Sequence, residues 1–173
     1  QCTNLVKGLL PEFNRRSRVL DFLAGIVPFV LLWPLRALGN VLVFSKVKAR
    51  LGGRFRFSVS GGGALPPYVD KFFGAAGILM LEGYGLTETT PVVSVRLERR
   101  PMQGTIGPAL AELEVKLLDP ETHQPVGPGK KGVIHVKGPN VMKGYYKRPD
   151  KTAEVIAKDG FLDTGDLGMI TYK

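Results

Sequence analysis

The sequence predicts an α/β fold, in which an open-sheet subdomain is followed by a β-barrel-like subdomain. Residues 54–59 alternate polar and apolar side chains, the pattern of a strand with one buried face. Apolar residues at helical spacing follow between 66 and 77. After about residue 100, short alternating segments separated by Gly and Pro replace this pattern. We therefore predict an α/β part over residues 1–100 and a β-rich part over residues 101–173.

The first part is expected to contain a strand, loop, helix and strand unit. Residues 54–59 would deliver their C-terminal end into a run of three glycines at 61–63. Two consecutive prolines suit the first turn of the following helix, and Gly77 would end it. Residues 78–81 are typical of a fully buried strand. Because open α/β sheets bind ligands at the carboxyl ends of their strands, a ligand site is expected there.

The second part is expected to contain strands joined by tight turns. Residues 113–117 alternate apolar and charged side chains, and residues 133–136 form a returning strand. A short helix is predicted from about 149 to 158, with Gly160 as its breaker. No linker rich in Ser, Gly or charge separates the two parts. The boundary near residue 100 is therefore interpreted as one between subdomains.

Residues 22–35 form an uncharged apolar segment. It is shorter than the roughly 20 apolar residues that span a bilayer, and its two prolines are expected to interrupt any helix. Two interpretations stay open. We favour a buried connection between helices, because short apolar runs are more often core than membrane. The alternative is an interfacial segment, with Trp33 at the headgroup level and Arg18 and Arg36 on lipid phosphates.

Composition and charge restrict the class of partner. The 173 residues are 44% hydrophobic, contain a single cysteine, Cys2, and carry a formal net charge of +9. One cysteine excludes an internal disulfide. The charge favours an anionic partner, but no aromatic interleaving or helix-turn-helix pattern accompanies it, so nucleic acid is not expected. Acidic lipid headgroups or CoA-like phosphates fit better.

The segment 83–89, GYGLTET, combines an aromatic ring, hydroxyls and a carboxylate with glycines that let the backbone approach a ligand. Tyr84 offers a flat partner for adenine, Thr87 a hydroxyl for phosphate, and Glu88 an oxygen for a magnesium ion. By itself this pattern is equally compatible with a strand followed by a polar turn.

A second signal lies at residues 160–168, GFLDTGDLG, and three further segments support it: SGGGAL at 60–65, GTIGP at 104–108 and GYYKRP at 144–149. Together these ordered motifs resemble the acyl-adenylating, or AMP-binding, superfamily. That superfamily includes acyl-CoA synthetases, acyl-carrier-protein synthetases, luciferases and the adenylation domains of peptide synthetases. The triple glycine and residues 69–73 resemble its long-chain fatty acid branch.

The resemblance implies a role for each matching residue. Tyr84 would stack on adenine, and Asp166 would accept hydrogen bonds from both ribose hydroxyls, which a carboxylate can do at once. Thr87 would touch the α-phosphate and Glu88 would hold the magnesium ion, which makes these two the implied catalytic residues. The implied nucleotide-binding set is Gly61, Gly62, Gly63, Tyr84, Gly85, Thr87 and Asp166.

The resemblance also implies an activity. An ATP-dependent long-chain fatty acid CoA ligase would activate a fatty acid as acyl-AMP and transfer it to CoA, using ATP, Mg2+ and CoA. Two alternatives stay open: an acyl-acyl-carrier-protein synthetase, and a non-catalytic module that binds nucleotide or lipid.

The chain does not match every motif of that superfamily. It shows no phosphate loop ending in Pro-Lys, no C-terminal catalytic lysine, and neither an initiator Met nor a targeting sequence. We therefore expect a central piece of a longer enzyme, inactive by itself. We expect the enzyme to be cytoplasmic, and peripheral contact with a membrane stays open.

Overall fold

The structure is a computed structural model that describes residues 18–171. It divides into two compact units: residues up to Glu82 with Arg96–Thr105, and Gly83–Val95 with residues from Ile106 onward. The predicted mixed α/β class is confirmed, while the predicted subdomain boundary near residue 100 stays a prediction. Cys2 and the side chain of Arg18 lie outside what the structure describes.

The first unit begins with a nearly continuous helical segment. Helix α1 (Arg18–Gly39) passes into a π-helical turn (Asn40–Phe44) and then into helix α2 (Ser45–Arg50). The expectation that prolines interrupt this segment is wrong, because Pro28 and Pro34 both lie inside α1. Each proline removes one backbone donor, but the neighbouring turns keep theirs.

Most apolar side chains of α1 are exposed, while Ile26 and Phe29 are half-buried. Leu31, Trp33 and Leu35 are 73%, 61% and 68% exposed. Within residues 18–171 the segment is therefore not buried, contrary to the interpretation favoured from its length. The segment Phe22–Arg50 is also long and apolar enough to cross a membrane, by length and composition alone. A helix in the core of a soluble protein and a signal sequence pass the same test, so the finding assigns no membrane span.

The first sheet has the order β1-β2-β3, formed by Phe57–Ser60, Leu79–Tyr84 and Ser94–Val95. β1 and β2 are parallel, and β3 runs antiparallel to the end of β2. β1 starts three residues later than predicted, because its partner begins only at Leu79, opposite Phe57.

Helix α3 (Pro67–Ala76) connects β1 to β2 as predicted. Its prolines lie at the first turn, where a missing N–H costs no helical hydrogen bond. Gly77 ends the helix with φ of 69°, a left-handed conformation that favours glycine. The prolines and Gly77 thus determine where this helix begins and ends.

The second sheet is antiparallel, with the order β4-β5-β6, formed by Glu114–Leu118, Lys131–Lys137 and Leu162–Met169. Its core contains Val93, Leu117, Ile134 and Val136. The strands predicted around 113–117 and 133–136 both form, although Val115 is exposed. Helix α4 (Pro149–Val155) ends earlier than predicted, because Ile156 is extended and bridges to Leu162.

A β-bulge interrupts β6. Val133 pairs with Leu167, whereas His135, two residues further on, pairs with Asp163, four residues away from Leu167. The strand β6 therefore carries two extra residues at this point. The Thr164 hydroxyl donates to the Ile134 carbonyl at 2.8 Å, which satisfies a backbone group inside the irregularity. The bulge lies within the motif at 160–168 and contains its polar residues Thr164 and Asp166.

Candidate functional site

The loop after β2 is folded back tightly on itself. A Cβ atom at Gly85 would lie 1.7 Å from the Pro91 carbonyl oxygen, so only glycine permits this approach. A short 3-10 turn, Thr87–Thr89, follows. Thr89 is fully buried, and its hydroxyl accepts from the Leu86 N–H at 2.9 Å and donates to the Leu86 carbonyl at 3.0 Å. The turn therefore has a fixed shape, with Thr87 exposed on its surface.

Residues 140–142, in the same unit, form hydrogen bonds to the main chain of this loop. The Asn140 amide donates to the carbonyls of Thr89 and Val92, at 2.8 and 2.9 Å. The Met142 N–H donates to the Glu88 carbonyl at 2.8 Å. The sequence analysis assigned no role to Asn140, or to Thr89, the last residue of the motif 83–89. The only local signals were the amide of Asn140, close before the motif at 144–149, and the hydroxyl of Thr89 in the motif at 83–89.

Tyr84 and Asp166 meet although 82 residues separate them. The Tyr84 hydroxyl donates to Asp166 Oδ2 at 2.8 Å. Burial is the main cause that raises the pKa of Tyr84 from 10.0 to about 12. Among residues 18–171, no hydrogen bond is donated to the other carboxylate oxygen of Asp166. That oxygen is available to a hydroxyl of a ligand, as the predicted ribose role of Asp166 requires.

Glu88 and Tyr145 form a second pair. The Tyr145 hydroxyl donates to Glu88 Oε1 at 2.8 Å, and this bond is the main cause that raises the pKa of Tyr145. Within the described part of the chain, Glu88 Oε2 accepts no hydrogen bond. This second pair thus also leaves one carboxylate oxygen free for a ligand or a metal ion.

An open cleft of about 280 Å³ lies beside these side chains. It is lined by Leu86, Glu88, Tyr145, Val155, Leu162, Asp163, Thr164 and Gly165. Residues 18–171 contain no group of three His, Cys, Asp or Glu that could hold a metal ion alone. A single carboxylate fits a magnesium ion whose other ligands are phosphate oxygens and water, because magnesium is commonly bound in this way.

The three glycines of the first motif belong to the first unit, whereas Tyr84, Gly85, Thr87, Glu88 and Asp166 belong to the second. Within the second unit, Tyr84 and Asp166 are in direct contact. The surroundings of the three glycines are those of the first unit. Gly61, Gly62 and Gly63 are all exposed.

A buried ion cluster lies beside that glycine loop in the first unit. Arg96, 1% exposed, donates to Asp70 Oδ2 at 2.9 Å and to Glu82 Oε2 at 2.8 Å. The other oxygen of Glu82 accepts the Leu65 N–H at 2.9 Å, at the end of the glycine loop. Sequence reasoning missed this cluster. It links the loop after β1 to β2 and α3.

Comparison with known proteins gives a consistent result. A family model described as AMP-binding enzyme matches residues 20–146. The probable acyl-activating enzyme 16 of Arabidopsis thaliana is 47% identical over 88% of this chain. The long-chain-fatty-acid–[acyl-carrier-protein] ligase AEE15 of the same plant is 45% identical over 87%. The human long-chain-fatty-acid–CoA ligase 1 is 36% identical over 97%.

Solved structures show the same similarity. ATP-bound MatB from Rhodopseudomonas palustris superposes with a TM-score of 0.62 and 38% identity, over 66% of this chain and 23% of that one. A long-chain-fatty-acid-CoA ligase from Archaeoglobus fulgidus gives 0.60 and 27%, over 66% and 26%. The chain spans only 21% to 23% of the length of the three relatives above.

Proposed function

Because this chain belongs to the AMP-binding enzyme family, we propose that the whole protein is an ATP-dependent long-chain fatty acid CoA ligase. In this reaction the fatty acid carboxylate attacks the α-phosphorus of ATP, forming acyl-AMP and releasing pyrophosphate. The CoA thiol then displaces AMP and forms a thioester. The observation that carries the proposal is the second unit, in which Tyr84, Glu88 and Asp166 all carry side chains suited to a nucleotide.

The nucleotide roles follow from chemistry and from local contacts. The bond from its hydroxyl to Asp166 fixes the ring of Tyr84, and a fixed ring loses little freedom when adenine stacks on it. The free oxygen of Asp166 suits the ribose hydroxyls. Thr87, exposed on its turn, is assigned to the α-phosphate. The glycines Gly61, Gly62, Gly63 and Gly85 are assigned to close backbone approach.

Glu88 is assigned to a magnesium ion. When bound, the ion neutralises part of the triphosphate charge that repels the fatty acid carboxylate. The chain contributes one carboxylate oxygen at the edge of the cleft, on a turn that Thr89 and Asn140 hold in place. This assignment needs no further acidic side chain from the described residues.

The proposal is tested in the whole enzyme by fatty-acid-dependent exchange of pyrophosphate into ATP, followed by thioester formation with CoA. We expect both activities in the wild type and a loss of exchange in Asp166→Ala. An enzyme that binds ATP but shows neither activity would support the alternative, a non-catalytic nucleotide- or lipid-binding module. A polypeptide limited to these 173 residues is expected to be inactive.

A second candidate is an acyl-acyl-carrier-protein synthetase. The name of one relative states acyl-carrier protein as the acceptor. In addition, residues 22–69 contain no Asp or Glu, and their charges are all positive: Arg36, Lys46, Lys48, Arg50, Arg54 and Arg56. Such a surface suits an acidic carrier protein. Supplying the enzyme with pre-made acyl-adenylate and either CoA or the carrier protein, and comparing thioester yields, separates the two candidates.

The exposed face of α1 is proposed to contact an anionic membrane surface, where long-chain fatty acids accumulate. An open hollow of about 360 Å³ at the end of α1 is lined by Trp33, Arg36 and Lys48, together with small residues and Asn40. An aromatic ring beside two cations suits lipid headgroups. The enzyme would then be cytoplasmic and peripheral to the membrane.

Sedimentation with anionic vesicles tests this contact. We expect wild-type enzyme to co-sediment and to be released as salt is raised. The double variant Trp33→Ser with Phe29→Ser should stay in the supernatant while keeping its unfolding temperature. Binding that is equal for both proteins would contradict the contact.

We also infer that the antiparallel sheet β4-β5-β6 belongs to a barrel-like subdomain in the whole protein. Its three strands form one antiparallel sheet with a bulge in β6, and bulges increase the bending and twist of a strand. An experimental structure of the whole enzyme would show whether further strands close it.

A further inference from the structure

The segment 142–145 holds Glu88 through both the side chain and the main chain of that residue. The Tyr145 hydroxyl donates to Glu88 Oε1 at 2.8 Å. Three residues earlier in this segment, the Met142 N–H donates to the Glu88 carbonyl, also at 2.8 Å. One short segment therefore restrains the position of this residue and the direction of its carboxylate.

Tyr145 is in turn fixed by the first turn of α4. Its backbone N–H donates to the Thr152 hydroxyl at 2.9 Å, and that hydroxyl donates to the Arg148 carbonyl at 2.9 Å. The Arg148 N–H closes the arrangement by donating to the Tyr145 carbonyl at 3.1 Å. Because both the N–H and the carbonyl of Tyr145 are hydrogen-bonded, its backbone position is fixed, and so is the point from which its side chain reaches Glu88.

From these contacts we propose that Tyr145 is a positioning residue, which holds the Glu88 carboxylate so that a single oxygen faces the magnesium ion. The proposal rests on the metal role assigned to Glu88 above. The Tyr145 hydroxyl occupies Oε1, and among the residues that the structure describes Oε2 accepts no hydrogen bond. Magnesium requires near-ideal octahedral geometry, which one oriented oxygen satisfies better than a freely rotating carboxylate.

The magnitude of such an effect is known for other metal sites. Removing a hydrogen-bond partner of a metal ligand commonly lowers metal affinity by about 10- to 100-fold. We place Tyr145 at the lower end of this range, because the residue is 38% exposed and water can replace its hydroxyl as a donor to Glu88. We therefore expect an effect of about tenfold.

The test compares Tyr145→Phe with Tyr146→Phe in the whole enzyme. The matched control, Tyr146, lies next in the chain and is 86% exposed, with Lys147 Nζ 5.3 Å from its ring centroid. Binding of Mn2+ to the enzyme–ATP complex is measured by the loss of the free-ion electron paramagnetic resonance signal. We expect Tyr145→Phe to weaken Mn2+ binding about tenfold. Tyr146→Phe should bind it as the wild type does, and both should keep the wild-type unfolding temperature.

A second pair of variants covers the possibility that Tyr145→Phe disturbs the turn. Thr152→Val removes the hydroxyl that fixes the Tyr145 backbone, whereas Thr152→Ser keeps it. Weaker Mn2+ binding in Thr152→Val, restored in Thr152→Ser, supports positioning. Wild-type affinity in both Tyr145→Phe and Thr152→Val overturns it.

The combination with Glu88→Gln separates this inference from the function on which it rests. If Tyr145 acts through Glu88, adding Tyr145→Phe to Glu88→Gln should cause no further loss of Mn2+ binding. A full additional loss would overturn the inference while leaving Glu88 as the metal ligand. Normal Mn2+ binding by Glu88→Gln alone would instead overturn the metal role itself.

Discussion

The buried ion cluster of the first unit and the polar pairs of the second use bonds of nearly the same length in opposite settings. Arg96 meets Asp70 and Glu82 at 2.9 and 2.8 Å, with its side chain 1% exposed. Tyr84 donates to Asp166 at 2.8 Å, with Tyr84 half-buried and Asp166 exposed. Distance alone therefore does not distinguish a contact that stabilises the fold from one that prepares a ligand site.

The difference lies in what remains unsatisfied. In the cluster, Arg96 also donates to the carbonyls of Met80 and Thr105, and Glu82 uses its second oxygen for the Leu65 N–H. Asp166, in contrast, keeps one carboxylate oxygen without a donor among residues 18–171. A fully satisfied buried network contributes to stability only while it stays intact, whereas a half-satisfied exposed pair has capacity for a ligand.

The largest expected effect is on the buried cluster. Arg96→Met should lower the free energy of unfolding by about 3–5 kcal/mol, because it leaves Asp70 and Glu82 buried without a cation. Chemical denaturation followed by circular dichroism measures this. The matched control is Arg56→Met, which breaks an exposed pair with Glu98 whose side chains are 75% and 42% exposed. That change should cost at most about 1 kcal/mol. Equal losses for the two variants would contradict the contrast between buried and exposed pairs.

The next effect is on the ligand side. Asp166→Ala should weaken ATP binding by about 2–3 kcal/mol, because it removes a charged acceptor for the ribose hydroxyls. Tyr84→Ala should cost on the order of 1 kcal/mol, the value of a stacking surface. Calorimetric titration of the whole enzyme with ATP measures both. Neither variant should unfold the protein, and normal ATP affinity in Asp166→Ala would show that the ribose contact lies elsewhere.

A smaller effect is expected for the loop that carries the site. Gly85→Ala places a Cβ against the Pro91 carbonyl and should cost about 1–3 kcal/mol of stability, because the loop must move. Gly127→Ala, where no atom lies within 4 Å of the new methyl, is the control and should be close to neutral. Thermal unfolding compares them, and an unchanged midpoint in Gly85→Ala would mean that the loop relaxes freely.

The smallest effect concerns pH. Burial raises the pKa of Tyr84 from 10.0 to about 12. Between these two pH values the folded state keeps the phenolic proton of Tyr84, whereas the unfolded chain has largely lost it. The stability that this proton contributes is complete below pH 10.0 and is lost as the pH rises towards about 12. Tyr84→Phe should lack this component of the alkaline loss. The difference in tyrosinate absorption between wild type and variant gives the midpoint, and a midpoint near 10.0 would contradict the burial effect.

The sequence predicted most reliably those elements whose ends carry local signals. Helix α3 lies between its prolines and Gly77, alternation predicted β4, and the apolar residues at 133–136 predicted β5 as a returning strand. The cluster around Arg96 was missed because its partners lie 26 and 14 residues away, and ion pairs at such separations leave no local pattern. For α1, proline propensity was weighted too heavily against a long apolar helix. The ligand roles remain predictions, since no local contact tests them.

The bulge in β6 also restricts how this strand can change in length. Side chains alternate between the two faces of a sheet. Because the bulge adds an even number of residues, Leu162 and Gly168 lie on the same face of the sheet, each paired across the ladder with Val136 or Gly132 respectively. Leu162 is 2% exposed on that face. Inserting or deleting one residue between 163 and 167 would invert the parity of one side of the strand and turn Leu162 towards solvent. The segment 163–167 can therefore gain or lose residues only in pairs if Leu162 is to stay buried.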